Sequence, residues 1–230
     1  SQELHDRKYQ IYFLHDLGNF LTMAGEFNRA RQAFQEALEL APQVNHANAW
    51  FPLCGLAHIA HIQGEYDTAL DFSNDYLRRC REGSDTRSLV IALHLHSFYA
   101  RLNGKLDQAY ADTSLGLQLL TGKLTGAHRL QLQVEAEFAR VQGHYTQSRE
   151  YIETLASIIE EKCDLYMLAD TLFDQACYAQ QQRQHEDVRN LAQRVIQVAT
   201  HIGSPHFQSR SIQLLQQLPP HIAPMGLVSP

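Results

Sequence analysis

The sequence predicts an all-α protein built from about five helix pairs and one further capping helix. A short pattern, made of a glycine, an apolar residue and a small residue, recurs along the chain at a nearly constant period. Between its copies, apolar residues follow the spacing of one helix face, and no sustained apolar–polar alternation marks a strand. Repeats of this length are typical of solenoids, in which each unit buries its apolar face by stacking on its neighbours.

Four glycines mark the repeat: Gly25, Gly64, Gly104 and Gly143 lie 39, 40 and 39 residues apart. Glycine ends helices in the left-handed conformation, so each one predicts the turn between two antiparallel helices. A fifth, degenerate copy is centred on Arg183. Each glycine is followed, two and five residues later, by an apolar and a small residue that let the two helices approach closely: Phe27 and Ala30, Tyr66 and Ala69, Leu106 and Ala109, Tyr145 and Ser148.

Apolar residues at helical spacing on both sides of each turn predict the helices themselves. Before the first turn these residues are Phe13, Leu14, Leu17, Phe20 and Leu21. The predicted pairs are 3–24 with 27–40, 46–62 with 66–81, 86–103 with 106–120, 126–142 with 145–161, and 165–182 with 186–201. A last helix over 207–218 is predicted to cap the array.

We expect one solenoid over residues 1–218 rather than two domains, because no linker rich in Pro, Gly or Ser interrupts residues 4–202. Pro52 fits either the first turn of its helix or a kink further in. The tail 219–230 is rich in proline, which predicts an extended or disordered segment. The predicted units are 3–44, 45–83, 84–123, 124–163 and 164–203, with the capping helix in 205–218.

Composition excludes several classes of protein. The chain has 230 residues, 44% hydrophobic and 19% charged, which is too apolar for a disordered protein. A net charge of -6 argues against binding driven by nucleic-acid phosphates. No apolar run is long enough to cross a membrane, and the first residues do not resemble a signal peptide. We therefore expect a cytoplasmic location, with no membrane or direct nucleic-acid partner, and a fragment of a longer chain.

The four cysteines lie far apart and form no CxxC pair, so we expect reduced thiols packed mostly as small hydrophobic groups. They are Cys54, Cys80, Cys163 and Cys177.

The repeat resembles the tetratricopeptide repeat over about residues 4–202. The first unit carries the match, with consensus residues at Leu14, Leu17, Gly18, Leu21, Gly25, Phe27, Ala30, Phe34, Ala37 and Pro42. The resemblance implies a right-handed superhelical solenoid that binds partners. The family period is about 34 residues, whereas this chain repeats every 39 to 40. Longer units of this kind resemble the C-terminal sensor domains of bacterial signal-transduction ATPases with numerous domains, including regulators similar to the maltose-regulon activator.

In tetratricopeptide domains the first helices of the pairs line a concave groove that holds peptides or helices. The resemblance therefore implies a set of groove residues in this chain. Phe51, Ile91, Leu130 and Phe173 are equally compatible with packing between neighbouring helices, so both interpretations stay open for them. The candidates are Tyr12, His15, Asp16, Asn19, Phe51, Cys54, His58, His61, Ile91, His94, Phe98, Arg101, Leu130, Gln133, Glu137, Arg140, Asp170, Phe173, Asp174 and Cys177.

The clamp by which co-chaperone members of the family grip a C-terminal carboxylate is missing from these positions. Its Lys, Asn, Asn, Lys and Arg are replaced by His15, Asn19, Gly55, Ile91 and Leu95, and only Asn19 fits. Without the cations a carboxylate would lose its charge-assisted hydrogen bonds, so this co-chaperone function is not expected.

Thirteen histidines raise the question of a metal site. His58 and His61 lie one turn apart, and the repeat places His94 on the equivalent helix of the next pair, so together they could hold Zn²⁺. Contact with solvent or a partner is the favoured interpretation, and charging of these groups below about pH 6.5 would make binding sensitive to pH. We expect no metal and no cofactor.

No phosphate-loop, dinucleotide-binding, zinc-protease or serine-hydrolase motif occurs in the sequence, so we expect no enzymatic activity. The leading hypothesis is a binding solenoid that serves as the sensor or regulatory segment of a larger signalling ATPase or transcription regulator. Its partner would be a protein or peptide in the groove, a small-molecule inducer, or another domain of its own chain. The alternatives are a free-standing adaptor between proteins, a self-assembling scaffold, and a metal-dependent or catalytic helical protein.

Overall fold

The computed structural model describes residues 2–44, 47–123 and 127–219, and within these ranges all regular structure is helical. The chain divides into two compact units, Ser1–Asp164 and Leu165–Pro230. The first unit contains α1 (Gln2–Met23), α2 (Phe27–Leu40), α3 (Pro52–Ile62), α4 (Tyr66–Glu82), α5 (Thr86–Leu102), α6 (Leu106–Lys123), α7 (His128–Val141) and α8 (Tyr145–Glu161). The second contains α9 (Leu165–Gln181), α10 (His185–Ile202) and α11 (Pro205–Gln216). The all-α class with five pairs and one further helix is confirmed, while a single continuous solenoid stays a prediction.

The turn inside each pair has the predicted left-handed residue. Gly25, Gly64, Gly104 and Gly143 have φ between 73° and 79°, and Arg183 takes the same role with φ 57°. At the first turn the Glu26 amide donates to the carbonyl of Leu21 over 2.8 Å, and at the fifth the Gln184 amide donates to Ala179 over 2.9 Å. These bonds satisfy carbonyls that the helix end would leave unpaired, so both residue types build one turn.

Most predicted helix boundaries agree with the structure to within two residues, and the largest difference is in the second pair. There α3 begins at Pro52 rather than near residue 46, after a short 3₁₀ turn at Ala47–Trp50. Pro52 therefore occupies the first helical position, where its missing N–H costs no hydrogen bond. A helix start or an extended segment was predicted for three ranges that lie outside the described residues: 45–46, 124–126 and the tail 220–230. None of the described helices is both long and apolar enough to span a membrane.

Phe34 of α2 joins the first two pairs through close contacts with two glycines. The side chain is fully buried, in a cluster that includes Leu21 of α1 and Ile59 of α3. A Cβ atom on Gly18 would lie 2.5 Å from the Phe34 ring, and one on Gly55 would lie 2.2 Å from it. Each glycine thus provides the space that the ring fills, and burying such a side chain contributes about 1.5–3 kcal/mol.

Within the first unit, the second helix of one pair packs on the first helix of the next. Leu53 of α3, Tyr76 and Leu77 of α4 and Ala92 of α5 share one buried cluster. The third pair continues into the fourth in the same way, because Leu120 of α6 shares a buried cluster with Leu130 and Val134 of α7. No pair in the first unit buries its apolar surface alone, which is the packing logic of repeat proteins.

The apolar residues of α1 are the exception, because several of them are exposed. Phe13 is 68% exposed and Phe20 is 67% exposed, with Tyr9 and Leu17 also exposed. The residues at the same distance from the third turn glycine, Ala92 and Tyr99, are almost fully buried against α4. The difference arises because no described helix precedes α1 and could cover it.

We predict that Gly55→Ala lowers the free energy of unfolding by about 1–3 kcal/mol, because the new methyl group would overlap the Phe34 ring. Urea denaturation followed by circular dichroism measures the change. The matched control is Gly116→Ala in α6, whose Cβ would lie 3.4 Å from Val134 Cγ1, an ordinary contact. There the helix propensity of alanine should leave stability unchanged or raise it by up to about 1 kcal/mol. Equal stabilities of the two variants would contradict the role of Phe34.

Candidate functional site

The first helices of the pairs in the first unit, α1, α3, α5 and α7, carry most of the predicted groove residues, and we call their shared side the first-helix face. Four aromatic or imidazole rings form two contacting pairs there, His15 with Phe51 and His61 with Phe98, and we call these four rings the aromatic row. The His15 and Phe51 ring centroids are 6.1 Å apart, and His61 meets Phe98 edge to face at 5.4 Å. All four side chains are half-buried, so each has packing partners and still leaves part of its surface uncovered.

His15 is held neutral by its surroundings. Its ring packs 5.7 Å from the ring of Phe34, and its Nε2 lies 3.1 Å from the Asn19 side-chain nitrogen. Burial lowers the pKa of His15, because the apolar surroundings disfavour the charged imidazolium, and the nearby Asp16 offsets this only in part.

The remaining candidates on α1, α3 and α5 differ in how accessible they are. Asp16 and Asn19 are exposed. Burial raises the pKa of the Cys54 thiol, so it stays protonated at neutral pH and is a poor nucleophile. The half-buried candidates on α1, α3, α5 and α7 outside the aromatic row are Tyr12, Cys54, His58, Ile91, His94 and Gln133.

Arg101, Glu137 and Arg140 form a buried ion cluster rather than an open binding surface. Arg101 of α5 donates two hydrogen bonds to the Glu137 carboxylate of α7, over 2.6 and 3.2 Å. Arg140 donates to the same carboxylate over 3.4 Å and to the Ser148 hydroxyl over 3.2 Å. All three side chains are less than a tenth exposed. Their polar groups therefore join the third and fourth pairs, and among the candidates they are poorly placed to contact a partner.

In the second unit, Phe173 of the fifth pair lies against α11. Phe173 is 5% exposed, with the Phe207 ring 6.2 Å away and the Arg210 guanidinium 4.3 Å above its face. Phe173 is therefore packed between helices, and so is Leu130, which is buried against Val90. Asp170, Asp174 and Cys177 are half-buried.

His58, His61 and His94 do not form a candidate zinc site in this structure. Over the described ranges, no group of three or more His, Cys, Asp or Glu is arranged so that it could hold a metal ion. His61 instead packs within 6 Å of the Tyr66, Phe98 and Tyr99 rings. The four cysteines are free thiols, and Cys80 is buried in the core.

A pocket that the sequence did not predict lies among α4, α5 and α6, and we call it the outer pocket. Its volume is about 490 Å³. In its wall, the His96 ring is almost fully buried, and its Nδ1–H donates to the Asp112 carboxylate over 2.5 Å. The repeat contains a signal for it, since His96 stands eight residues before its turn glycine, where the first two pairs have Leu17 and Leu56. The residues that line it are Asn74, Asp75, Leu77, Arg78, Arg81, Glu82, His96 and Gln108.

We predict that stability falls as the pH drops below about 6.5, in part through His15. The unfolded chain binds a proton on this residue near pH 6.5, whereas the folded protein binds it only at lower pH. The contribution of His15 to the free energy of unfolding is therefore fully present above pH 6.5, and it is lost as the pH falls towards the lowered pKa. Urea titrations at pH 7.5 and 5.5 should show a smaller pH effect for His15→Phe than for the wild type. His128→Gln, at an exposed histidine, serves as the control, and an unchanged pH effect in His15→Phe would contradict the assignment.

We also predict that Glu137→Gln lowers the free energy of unfolding by about 3–5 kcal/mol, because it leaves two buried guanidinium groups without their carboxylate. Thermal and urea denaturation measure the loss. The control is Glu153→Gln on α8, whose carboxylate is 63% exposed and 3.9 Å from Arg149, and it should change stability by less than about 0.5 kcal/mol. Similar small losses in both variants would show that the cluster is not essential to the fold.

Residues 9–82 match the family model described as tetratricopeptide repeat. No curated protein matches the chain in sequence. Among solved structures, a Rap protein complexed with Competence and Sporulation Factor is similar at a TM-score of 0.62 and 12% identity, over 90% of this chain and 62% of that chain. BtubC from P. vanneervenii is similar at a TM-score of 0.52 and 13% identity, over 82% of this chain and 81% of that chain.

A signal-transduction ATPase with numerous domains and a tetratricopeptide repeat sensor, from Pyrococcus horikoshii, is similar at a TM-score of 0.50 and 15% identity. The match covers 91% of this chain and 33% of that protein, so this chain spans about a third of its length. At these identities the likeness concerns the fold. Residues 9–82 thus carry the sequence pattern of the tetratricopeptide repeat, and the chain has the helical-repeat fold of proteins that contain it.

Proposed function

We propose that this chain is a non-catalytic binding domain that holds a segment of a partner protein or peptide on the first-helix face. The aromatic row supports the proposal most directly. Its rings are ordered by contacts with their neighbours and are still partly accessible, so a partner could cover them with little loss of side-chain freedom. Phe98 is the strongest candidate anchor, because aromatic side chains in packed surroundings dominate binding energies at protein interfaces.

The polar groups around the row would fix the orientation of the partner. His58 and His94 are half-buried on α3 and α5, and Asn19 and Asp16 are exposed on α1. Aromatic anchors surrounded by polar groups are the usual composition of an interface. Because Arg101, Glu137 and Arg140 bind one another, the proposed contact region is centred on α1, α3 and α5 rather than on α7.

We propose further that the domain is the sensor or regulatory segment of a larger signalling protein in the cytoplasm. The similarity to a signal-transduction ATPase with a tetratricopeptide repeat sensor supports this context. In that case the partner, or an inducer, would shift how the domain packs on the rest of its chain. A phosphate-loop ATPase domain upstream in the native reading frame would support this context, and an open reading frame without one would favour a free-standing adaptor.

We predict that photo-crosslinking will capture a partner from the first-helix face. The amino acid p-benzoylphenylalanine replaces Phe98 on this face or, as the matched control, the exposed aromatic residue Tyr110 on α6. In lysate of the source organism, the label at position 98 should give a discrete crosslinked product that the label at position 110 does not give. Phe98→Ala should weaken binding of the identified partner by about tenfold or more, as loss of an aromatic anchor does.

Circular dichroism melts of each variant must first show that the fold is retained. Equal crosslinking from both positions would place the contact elsewhere on the molecule. No specific product from position 98 would contradict partner binding on the first-helix face.

A further inference from the structure

The outer pocket carries polar groups that the proposed partner-binding face does not use. Its residues come from α4, α5 and α6, and none of them belongs to the aromatic row. The volume of about 490 Å³ lies within the usual range for small-molecule sites, about 300–1,000 Å³, and exceeds the space that a bare inorganic anion would need.

One residue that lines the pocket, His96, forms a buried polar pair with Asp112. His96 and Asp112 stand where the second pair has Leu56 and Phe72, so a hydrogen-bonded polar pair replaces two apolar residues of the repeat. A buried charged group costs free energy unless it is paired, and apolar residues at the same positions are often at least as stabilising. The stability of the fold therefore does not require the His96–Asp112 pair. The contacts that this pair makes with pocket residues give another reason for its presence.

The pair positions two groups of the pocket. The second oxygen of Asp112, Oδ1, lies 3.7 Å from the guanidinium of Arg81. The negative charge of Asp112 attracts the Arg81 side chain to the pocket. On the other side, the Nε2 atom of His96 is 3.4 Å from the side-chain nitrogen of Gln108, at the start of α6. With Nδ1–H donated to Asp112, Nε2 accepts from one N–H of the Gln108 amide and leaves the other for a ligand.

Two arginines and two acidic residues line the pocket, and Arg81 is the arginine that a carboxylate holds less closely. The Arg78 guanidinium donates a hydrogen bond to Asp75 over 2.7 Å, and it makes a longer ion pair with Glu82 at 3.6 Å. Arg81 is 57% exposed, and its carboxylate contact at 3.7 Å is beyond hydrogen-bond distance. A guanidinium offers five N–H donors and no acceptor, in a geometry that matches carboxylate and phosphate oxygens.

From this arrangement we propose that the outer pocket binds a small organic molecule carrying a phosphate or carboxylate group. Arg81 donates a charge-assisted pair of hydrogen bonds to the anionic oxygens, and the Gln108 amide donates a further bond. His96 and Asp112 act as positioning residues for these two donors. Since the pocket and the first-helix face share no residues, this proposal and the proposed partner binding can fail independently.

Isothermal titration calorimetry tests the proposal with three probes: inorganic phosphate, glycerol 3-phosphate and succinate, all at constant ionic strength set with sodium chloride. The wild type should bind at least one of the two organic probes, and the stronger one identifies the preferred anionic group. Arg81→Gln should raise the dissociation constant by about tenfold or more, because it removes the charge-assisted hydrogen bonds. Gln108→Ala should raise it by a smaller factor.

The matched control is Arg87→Gln, an exposed arginine of α5 that does not line the pocket, and it should leave the affinity unchanged. Arg81, Gln108 and Arg87 are all exposed, so their variants are expected to fold, and circular dichroism checks this. Failure of all three probes to bind the wild type would overturn the proposal. Equal affinity of the wild type and Arg81→Gln would also overturn it, because the anion would then bind elsewhere.

Discussion

The structure depends on the tight turn inside each helix pair. A left-handed residue ends the first helix, and a hydrogen bond back across the turn starts the second helix at once, so the two helices must run antiparallel and in contact. Repetition of the turn every 39 to 40 residues makes first and second helices alternate along the chain. This alternation produces both candidate sites of the first unit: the aromatic row on the first helices, and the outer pocket between two second helices and α5.

The contact between the third and fourth helix pairs differs from that between the first two, because it contains paired polar residues in the core. Phe34 joins the first two pairs through apolar contact with two glycines, without a buried charge. Between the third and fourth pairs, Arg101 and Glu137 make a bidentate ion pair that apolar residues could replace at little cost in stability. Such pairs demand a definite geometry, because a small shift of one helix leaves a charge unpaired. The relative placement of α5 and α7 is therefore defined more narrowly by this pair than by apolar packing alone.

The two candidate sites place different chemistry on the two kinds of helix. The aromatic row offers partly covered rings and few full charges, which suits an apolar or mixed segment of a partner. The outer pocket offers a guanidinium and amide donors around a buried imidazole–carboxylate pair, which suits a small anionic molecule. Both sites contact α5, since Phe98 and His96 lie two residues apart on opposite sides of it.

The sequence by itself determined the class of fold, the number of pairs, the place of each turn and most helix boundaries. These features follow from local interactions: a left-handed residue at the turn, a small residue five positions later, and apolar residues at helical spacing. The replacement of glycine by Arg183 was recognisable for the same reason, because neighbouring residues kept the pattern. The sequence also identified which helices carry the aromatic row, since the period assigns each residue to a first or a second helix.

Only the tertiary structure decided which of those residues are accessible. Glu137 and Phe173 follow the pattern of groove residues, but Arg101, 36 residues away, pairs with Glu137, and Arg210 of α11 lies over the ring of Phe173. Phe13 and Phe20 show the opposite case, because their helix periodicity predicts burial and no described helix covers them. The outer pocket joins residues of three helices, so no local pattern could predict it. Helix periodicity defines faces, whereas burial and pairing depend on what other parts of the chain place against them.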